Sequence, residues 1–170
     1  MVLIVLFAAA VAAAWWFTTR AKQSAIGDTI TVYYAKADGT TLVPWQVSLN
    51  PARGERGDAA LDRRSTIFYA ATQCVAGPPP GTQAVRFPAG THVLAVDVQG
   101  STADVDISKD VASSAEGGFA ESAEFKALVW TLTQPKFGID SVKVKIAGAR
   151  VATLPGGHLG LDEPLSRSSF

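Results

Sequence analysis

The chain has 170 residues, 48% of them hydrophobic, and its fifteen basic and fifteen acidic side chains cancel to a formal net charge of +0. This length allows one core of ordinary size beyond the apolar N-terminal segment. The balanced charge argues against a nucleic-acid-binding surface, and the single cysteine, Cys74, excludes an intramolecular disulfide framework and a cysteine-cluster metal site. Because Cys74 lies among apolar residues at helical spacing, we interpret it as a small core side chain.

The opening sequence "MVLIVLFAAAVAAAWWFTTR" carries no charged side chain before Arg20. Its uncharged length is at the short end of the roughly 17–25 residues that span a bilayer, and Trp15 and Trp16 stand where an aromatic belt would meet the interface. We therefore predict a single-pass transmembrane helix at residues 1–19. The alternative is a cleaved signal peptide, for which the small residues of "AVAAA" are suitable.

A short polar tether at residues 20–27 is predicted to connect this segment to a domain at residues 28–170. The domain begins with "TITVYYA", whose β-branched and aromatic residues predict a strand. The segment "LVPWQVSL" predicts a second strand, in which Pro44 favours a sheet edge or a bulge because proline cannot donate to a ladder.

A helix is predicted after the loop "NPARGERGD", with Asp58 as its candidate N-cap. Ile67, Ala71 and Cys74 fall on one side of this helix, and "AGPPPG" ends it as a stiff turn. The segments "THVLAVDVQG" and "ADVDIS" then predict a strand pair connected at Gly100. Alternation in the first of these strands places Leu94, Val96 and Val98 on one face.

The second predicted helix has apolar residues at the i, i+3, i+4, i+7 spacing that lines one face, namely Phe125, Leu128, Val129 and Leu132. Pro135 ends it, and Glu116, Glu121 and Glu124 near its start suit the positive end of the helix dipole. The segment "SVKVKIAG" alternates strictly and predicts a last, half-buried strand. The expected fold is α+β: a small mixed sheet with two helices packed on one face, in the order β-β-α-β-β-α-β.

Two acidic residues are the candidates for chemistry. Asp104 and Asp106 alternate with apolar residues, so both carboxylates face the same side, where they could act as acid and base or hold a hard cation. We interpret them instead as a solvated strand face. His92 has the parity of Leu94 and Val96, so we predict a partly buried, hydrogen-bonded histidine and not a ligand.

No recognisable catalytic or cofactor motif is present. The sequence lacks a G-x-S-x-G elbow, a phosphate-binding loop and a zinc spacing, so we predict no catalytic residue, no metal and no cofactor. A modest cluster of arginines is interpreted as a solvated loop and helix face, the alternative being contact with anionic headgroups; it contains Arg53, Arg56, Arg63 and Arg64.

Taken in order, several segments resemble the GerMN domain, a family of spore formation and germination. The resemblance covers residues 28 to 170 and is carried by "ITVYYA", "AGPPPG", "FPAGTHVLAVDVQGSTADVDIS", "LVWTLTQ", "VKVKIAG" and "GGHLGLDEPLSR". The chain departs from the family in its apolar anchor, which has no lipid-attachment cysteine, and in the basic loop "NPARGERGDAALDRR". The resemblance implies an extracytoplasmic, tethered binding or assembly module without a catalytic residue set, similar to the ring-building motifs of envelope assemblies.

The expected function is therefore that of a non-catalytic, membrane-tethered module of the cell envelope. Its expected partners are the membrane, through the N-terminal helix, and other envelope proteins, with self-association and without nucleic acid. The domain is expected on the extracytoplasmic side, although Arg20 and Lys22 after the apolar segment would by the positive-inside rule alone favour the cytoplasm. If the N-terminal segment is cleaved, the expectation is a secreted domain.

The candidate partner-contact residues are Trp45, Trp130, Lys143, Lys145 and His158. The lysines are chosen because ring-building relatives associate through helix and sheet surfaces. His158 lies in "GGHLG", where glycines allow close approach, and we expect a structural hydrogen bond there. Two alternatives remain: a carbohydrate-binding module with an exposed Trp45 or Trp130, and a divergent hydrolase that uses Asp104 and Asp106.

Overall fold

The computed structural model describes residues 29–49, 63–113, 118–155 and 157–170. Within these residues the elements are the strands β1 (Thr29–Ala35), β2 (Leu42–Ser48), β3 (Val93–Gln99), β4 (Thr102–Ile107) and β5 (Ser141–Ile146), the helices α1 (Arg63–Ala76) and α2 (Gly118–Leu132), and 3-10 turns at Lys109–Ser113, Pro135–Phe137 and Arg167–Ser169. The predicted α+β class and the order β-β-α-β-β-α-β are confirmed.

The predicted transmembrane helix at residues 1–19, the tether at 20–27 and the Asp58 cap lie outside the described residues. In the part of the chain that the structure describes, neither helix is long and apolar enough to cross a membrane.

The strands form two sheets, so the expectation of a single small sheet was wrong. β1 and β2 form an antiparallel pair, whereas β3, β4 and β5 form a mixed sheet in which β4 and β5 are parallel. Side chains, and not a third strand, cover the outer edge of β1. The Tyr33 N–H donates to Thr131 Oγ1 at 2.9 Å, and Gln134 Nε2 donates to the Thr31 carbonyl at 2.7 Å. Helix α2 therefore ends the first sheet at this edge.

The helices pack against each other and against both sheets, so they do not cover one face of one sheet as expected. α1 contacts β1 and β3, and α2 contacts β1 and β5. The predicted apolar stripe of α2 is fully buried: Phe125, Leu128, Val129 and Leu132. Cys74 is buried on α1, which confirms its interpretation as a core residue.

A register shift in β3 changes which residues face the core. Val93 pairs with Ile107, but the next pair joins Ala95 to Asp106, so Leu94 is an extra residue in the ladder. Leu94 is 45% exposed and Val93 is buried, which corrects the prediction that Leu94 shares the inner face with Val96. His92 is exposed for the same reason and was wrongly predicted to be partly buried. Its Nδ1 lies 2.8 Å from the carbonyl oxygen of Gly90.

The C-terminal tail covers the outer edge of β5. Leu165 pairs with Val142 through two backbone hydrogen bonds of 2.8 Å, and Ile146 pairs with Ala149 at the other end of the strand. The tail also contributes core residues, namely Leu154, Leu161 and Leu165. No local sequence period indicates this packing. With β1 and β5 covered, β2 and β3 are the remaining edge strands of the described sheets.

Candidate interaction surface

Among the described residues, the outer edge of β2 is open along most of its length. On β1, Thr31 and Tyr33 direct their backbone groups away from β2, so the residues opposite them on β2, Gln46 and Pro44, also direct theirs outward. Pro44 has no N–H and therefore offers only its carbonyl oxygen. Among the described residues, no hydrogen bond reaches the outward backbone groups of Gln46. This edge can accept an added strand.

Trp45 is the large aromatic residue at the centre of this edge. It lies opposite Val32, which is fully buried, yet Trp45 is 44% exposed, since within the described residues β2 is the edge strand of its sheet. The side chains on either side of it, Pro44 and Gln46, are also exposed. Trp45 thus places a large apolar side chain beside the outward backbone groups of β2.

Trp130 is placed differently from Trp45, because the domain itself occupies its ring. It is half-buried on α2, and the Lys126 ammonium and the Arg167 guanidinium each lie 5.5 Å from its ring centroid. The Phe170 ring meets it edge-on, with centroids 6.1 Å apart. Trp130 therefore anchors the C-terminal tail to α2 and leaves less free surface than Trp45 does.

The outer face of the three-stranded sheet carries charged rows. One row runs Asp97, Asp104, Lys143 across β3, β4 and β5, and the next places Asp106 beside Lys145. Only Lys145 of the two candidate lysines has an ion pair among the described residues, at 3.1 Å from Asp104 Oδ2. Lys143 lies in register with Asp104 but makes no ion pair with any described residue, so its charge is available to a partner.

The two candidate catalytic carboxylates have structural partners. Asp104 Oδ2 contacts Lys145 Nζ at 3.1 Å and Arg150 Nη2 at 3.3 Å. Asp106 Oδ1 accepts a hydrogen bond from the Gly148 N–H at 2.8 Å. These contacts hold the turn after β5 against β4, and they favour a structural over an acid–base role for both residues.

The imidazole of His158 is exposed, and its backbone N–H is the group that makes the structural hydrogen bond. It donates to Glu121 Oε2 at 3.0 Å. Glu121 and Glu124 are each only 3% exposed, so the burial of acidic residues in α2 was missed. The signal was present, because Glu121 precedes Phe125 by four residues and Leu128 by seven and so lies on the apolar face.

The described arginines of the basic cluster bind backbone carbonyls. Arg63 donates from Nε to Phe137 O at 2.7 Å and from Nη2 to Gly138 O at 2.6 Å. Arg64 Nε donates to Val96 O at 2.6 Å. These bonds attach α1 to β3 and to the turn before β5. Arg53 and Arg56 lie outside the described residues.

Cys74 has the environment of an inert thiol. Burial raises its pKa to about 12, and its Sγ lies 3.6 Å from the Tyr33 carbonyl oxygen. Across the described ranges, no group of three or more His, Cys, Asp or Glu side chains could hold a metal ion.

Comparison with known proteins identifies the family to which this chain is similar. The family model described as "Germane: Sporulation and spore germination" matches residues 31–152. No curated protein matches the chain in sequence. Among solved structures, the first GerMN domain of the sporulation protein GerM from Bacillus subtilis is 26% identical with a TM-score of 0.60, and the match covers 82% of this chain and 98% of that one.

Two further structures are similar. The tandem GerMN domains of the same Bacillus subtilis protein are also 26% identical, with a TM-score of 0.60 over 84% of this chain. The chain spans 47% of that tandem, about half of its length. A presumed lipoprotein from Clostridium perfringens is 16% identical with a TM-score of 0.57, over 82% of this chain and 86% of that one, and shares the fold.

Proposed function

The chain belongs to the GerMN family of sporulation and spore-germination domains, and we propose that it is a non-catalytic binding module of the cell envelope, held at the membrane on the extracytoplasmic side. It acts through protein–protein contacts with other envelope proteins. The residues of the proposed contact come from the chain's own surface.

One observation carries the proposal: in the part of the chain that the structure describes, β2 is an open edge strand with Trp45 exposed at its centre. An added strand from a partner would pair with the outward backbone groups of Gln46 and the Pro44 carbonyl, and its side chains would cover the indole. Pro44 removes one donor from the edge, which disfavours indiscriminate pairing with other edge strands. The binding mode we propose is therefore strand addition with Trp45 as the anchor.

The proposed role of the N-terminal segment is to hold the domain, and with it this contact, at the membrane. A helix at residues 1–19 would hold the domain within a short tether of the bilayer, and confinement of this kind raises the effective concentration for partners at the same membrane. Lys143, on the outer face of the second sheet, is a second proposed contact for acidic side chains of a partner or of another copy of the chain.

Site-specific photo-cross-linking tests the proposal. A photoreactive residue is placed at position 45 of the full chain in its own host, and Phe119, which is 59% exposed on α2, is the control position. We expect one discrete protein adduct from position 45 and none of the same mass from position 119. Identical adducts from both positions would contradict a specific contact at β2.

A proline substitution separates strand addition from simple apolar contact. Gln46→Pro removes an outward N–H that makes no bond within the described domain, whereas Gln46→Ala keeps that N–H. We expect Gln46→Pro to abolish the adduct from position 45 and Gln46→Ala to retain it. Retention in both variants, with both proteins folded, would eliminate strand addition as the binding mode.

The exposure of Trp45 also favours a second candidate, binding of a wall carbohydrate on the indole face. Tryptophan fluorescence of the full chain, titrated with purified wall polymer, distinguishes the two. Saturable quenching that Trp45→Ala removes would favour the carbohydrate.

Self-association is tested separately by light scattering, where a defined oligomer lost in Lys143→Glu would support contact through the second sheet.

A further inference from the structure

An open cleft of about 320 Å³ lies where the turn before β5 meets the C-terminal tail. Opposite charges and hydroxyl groups line it together: Thr133, Ile139, Asp140, Ser166, Arg167 and Ser168. Its volume is at the lower end of the roughly 300–1,000 Å³ of small-molecule sites. The cleft lies apart from the β2 edge, since none of its lining residues belongs to β1 or β2.

The guanidinium of Arg167 is held in place by the protein. Its Nε donates to Thr133 Oγ1 at 2.9 Å and its Nη2 to the Thr133 carbonyl at 3.1 Å. The guanidinium carbon also lies 5.5 Å from the Trp130 ring centroid. These contacts use one edge of the group, so the Nη1 hydrogens have no partner among the described residues.

The backbone around Asp140 is also fixed, whereas its carboxylate has no hydrogen-bond or ion-pair partner in the described part of the chain. The Asp140 N–H donates to Ser101 O at 2.8 Å, and Arg63 binds the carbonyls of Phe137 and Gly138 just before it. Among the described residues, no hydrogen bond or ion pair reaches the Asp140 carboxylate. Two opposite charges thus line one cleft without an ion pair within 4 Å. The Arg167 guanidinium is held by its own contacts, and Asp140 is carried on a hydrogen-bonded backbone.

We propose that this cleft binds a free α-amino acid as a zwitterion. The ligand carboxylate accepts hydrogen bonds from the remaining N–H groups of Arg167, which suit a planar oxyanion. The ligand ammonium pairs with the Asp140 carboxylate. The hydroxyls of Ser166 and Ser168, 2.7 Å apart, supply further donors and acceptors. A ligand with both charges stabilises both groups at once, whereas neither finds an opposite charge within the described domain.

Other ligand classes fit this lining less well. A simple anion would be repelled by the Asp140 carboxylate. A metal cation would be repelled by the Arg167 guanidinium and would have a single carboxylate to bind it. A neutral sugar lacks the aromatic face that such ligands stack on, because the Trp130 ring already contacts Arg167, Lys126 and Phe170. A small ligand that carries one positive and one negative group matches the lining of the cleft best.

Isothermal titration calorimetry of the full chain with L-alanine and D-alanine tests the proposal. We expect saturable binding with millimolar dissociation constants for at least one enantiomer. N-acetylalanine, which lacks the ammonium, and alaninamide, which lacks the carboxylate, should each bind at least about tenfold more weakly, a factor typical of one lost charged hydrogen bond. Glucose is the neutral control.

Two variants locate the site. Asp140→Asn is expected to weaken alanine binding by about tenfold or more without a change in folding, since its carboxylate has no partner in the described protein. Arg167→Gln should do the same but also loses contacts to Thr133 and Trp130, so Asp140→Asn is the decisive variant. Asp97→Asn and Arg150→Gln, on the outer face of the second sheet, are matched controls and should bind normally.

Three results would overturn the proposal: no saturable heat with either enantiomer up to about 50 mM, binding of glucose in place of alanine, or unchanged alanine binding by Asp140→Asn. The proposal does not depend on the strand-addition site, because Gln46→Pro should leave alanine binding intact and Asp140→Asn should leave the adduct from position 45 intact. Failure of one therefore leaves the other standing.

Discussion

The backbone N–H of His158 donates to the buried carboxylate of Glu121 at 3.0 Å, and this bond ties the C-terminal tail to the first turns of α2. Gly157 lies directly against the same carboxylate, whose other oxygen, Oε1, is buried without a partner among the described residues. A buried acidic group with one oxygen unsatisfied tolerates little rearrangement. The tail therefore needs glycine at position 157 for space and not for an unusual backbone angle.

Gly157→Ala is expected to destabilise the domain. The new Cβ would overlap both carboxylate oxygens of Glu121, so either the tail or the buried side chain must move, and we expect the free energy of unfolding to fall by about 1–3 kcal/mol. Chemical denaturation measures this change. Gly160→Ala is the matched control, because its nearest new neighbour is an Asp162 oxygen at 3.3 Å. Equal unfolding midpoints for the two variants would contradict the packing described here.

The hairpin turn between β1 and β2 depends on an ionised Asp38. Its carboxylate accepts from the Thr41 hydroxyl at 2.6 Å and from the N–H groups of Thr41 and Thr40 at 2.8 and 2.9 Å. These bonds, that of the Thr41 hydroxyl above all, lower its pKa from 3.8 to about 2. Because the folded-state pKa is the lower one, this stabilisation is present above pH 3.8 and is lost as the pH falls through about 2.

NMR titration of the Asp38 carboxyl carbon checks this prediction, with an expected midpoint of about 2. Thr41→Val removes the main cause and should raise the midpoint toward the ordinary value, whereas Thr40→Val keeps the hydrogen bond of the Thr41 hydroxyl and should leave it low. A midpoint near the ordinary value in the unmodified chain would refute the role of these bonds.

Two buried groups of the core predict a loss of stability in alkali. Burial raises the pKa of Cys74 from 9.0 to about 12. The pKa of Tyr34 is raised from 10.0 to about 12, mainly by burial and to a smaller extent by the nearby Cys74. Since both pKa values are higher in the folded state, the stabilisation is complete below pH 9.0 and falls as the pH rises toward about 12. Cys74→Ala should reduce this alkaline slope, measured by denaturation at stepped pH.

The same burial predicts that Cys74 resists alkylation. At about pH 8, iodoacetamide should label the unfolded chain readily and the native chain only as fast as it opens, because the thiolate is the reactive form. Mass spectrometry of timed samples measures the two rates. Comparable labelling of native and unfolded chains would mean that the thiol is accessible.

The contact of Lys145 with Asp104 is expected to stabilise the sheet modestly. The lysine side chain is 33% exposed and that of Asp104 is 10% exposed, so solvent screens the pair in part. Lys145→Gln should lower the free energy of unfolding by about 0.5 kcal/mol, and added salt should shrink the difference. Lys143→Gln, one alternation away on the same face, should have no effect. A double-mutant cycle with Asp104→Asn gives the coupling, and zero coupling would contradict the pair.

Local pattern predicted much of the candidate surface but not the partners of its residues. The alternation of β5 correctly placed Lys143 and Lys145 on one face, where both are half-buried, and Pro44 correctly indicated an edge strand. Among the described residues Asp104 pairs with Lys145 and Arg150 but not with Lys143, and no local pattern distinguishes the two lysines. Likewise, Trp45 and Trp130 look alike in the sequence, and only the packing of Arg167 and Phe170 on Trp130 separates them.

The errors share a physical origin in long-range contacts. The extra residue in β3 is defined by its pairing with β4, so strict alternation misplaced both Leu94 and His92. The single sheet was expected because five strands with alternating residues look equivalent locally. The outer edge of β1 is instead occupied by Thr131 and Gln134, which lie about a hundred residues away along the chain, and no local period reports such a bond.

The sequence by itself determined the kind and order of the elements, the family and the core position of Cys74, because side-chain periodicity and turn residues act within a few neighbours. The tertiary structure alone decided that the strands form two sheets, that Glu121 is buried beneath the tail, and that Arg167 and Asp140 line one cleft. These features depend on which groups, distant in the sequence, form hydrogen bonds with each strand edge and each buried charge. Those bonds form only when the chain packs into its tertiary structure.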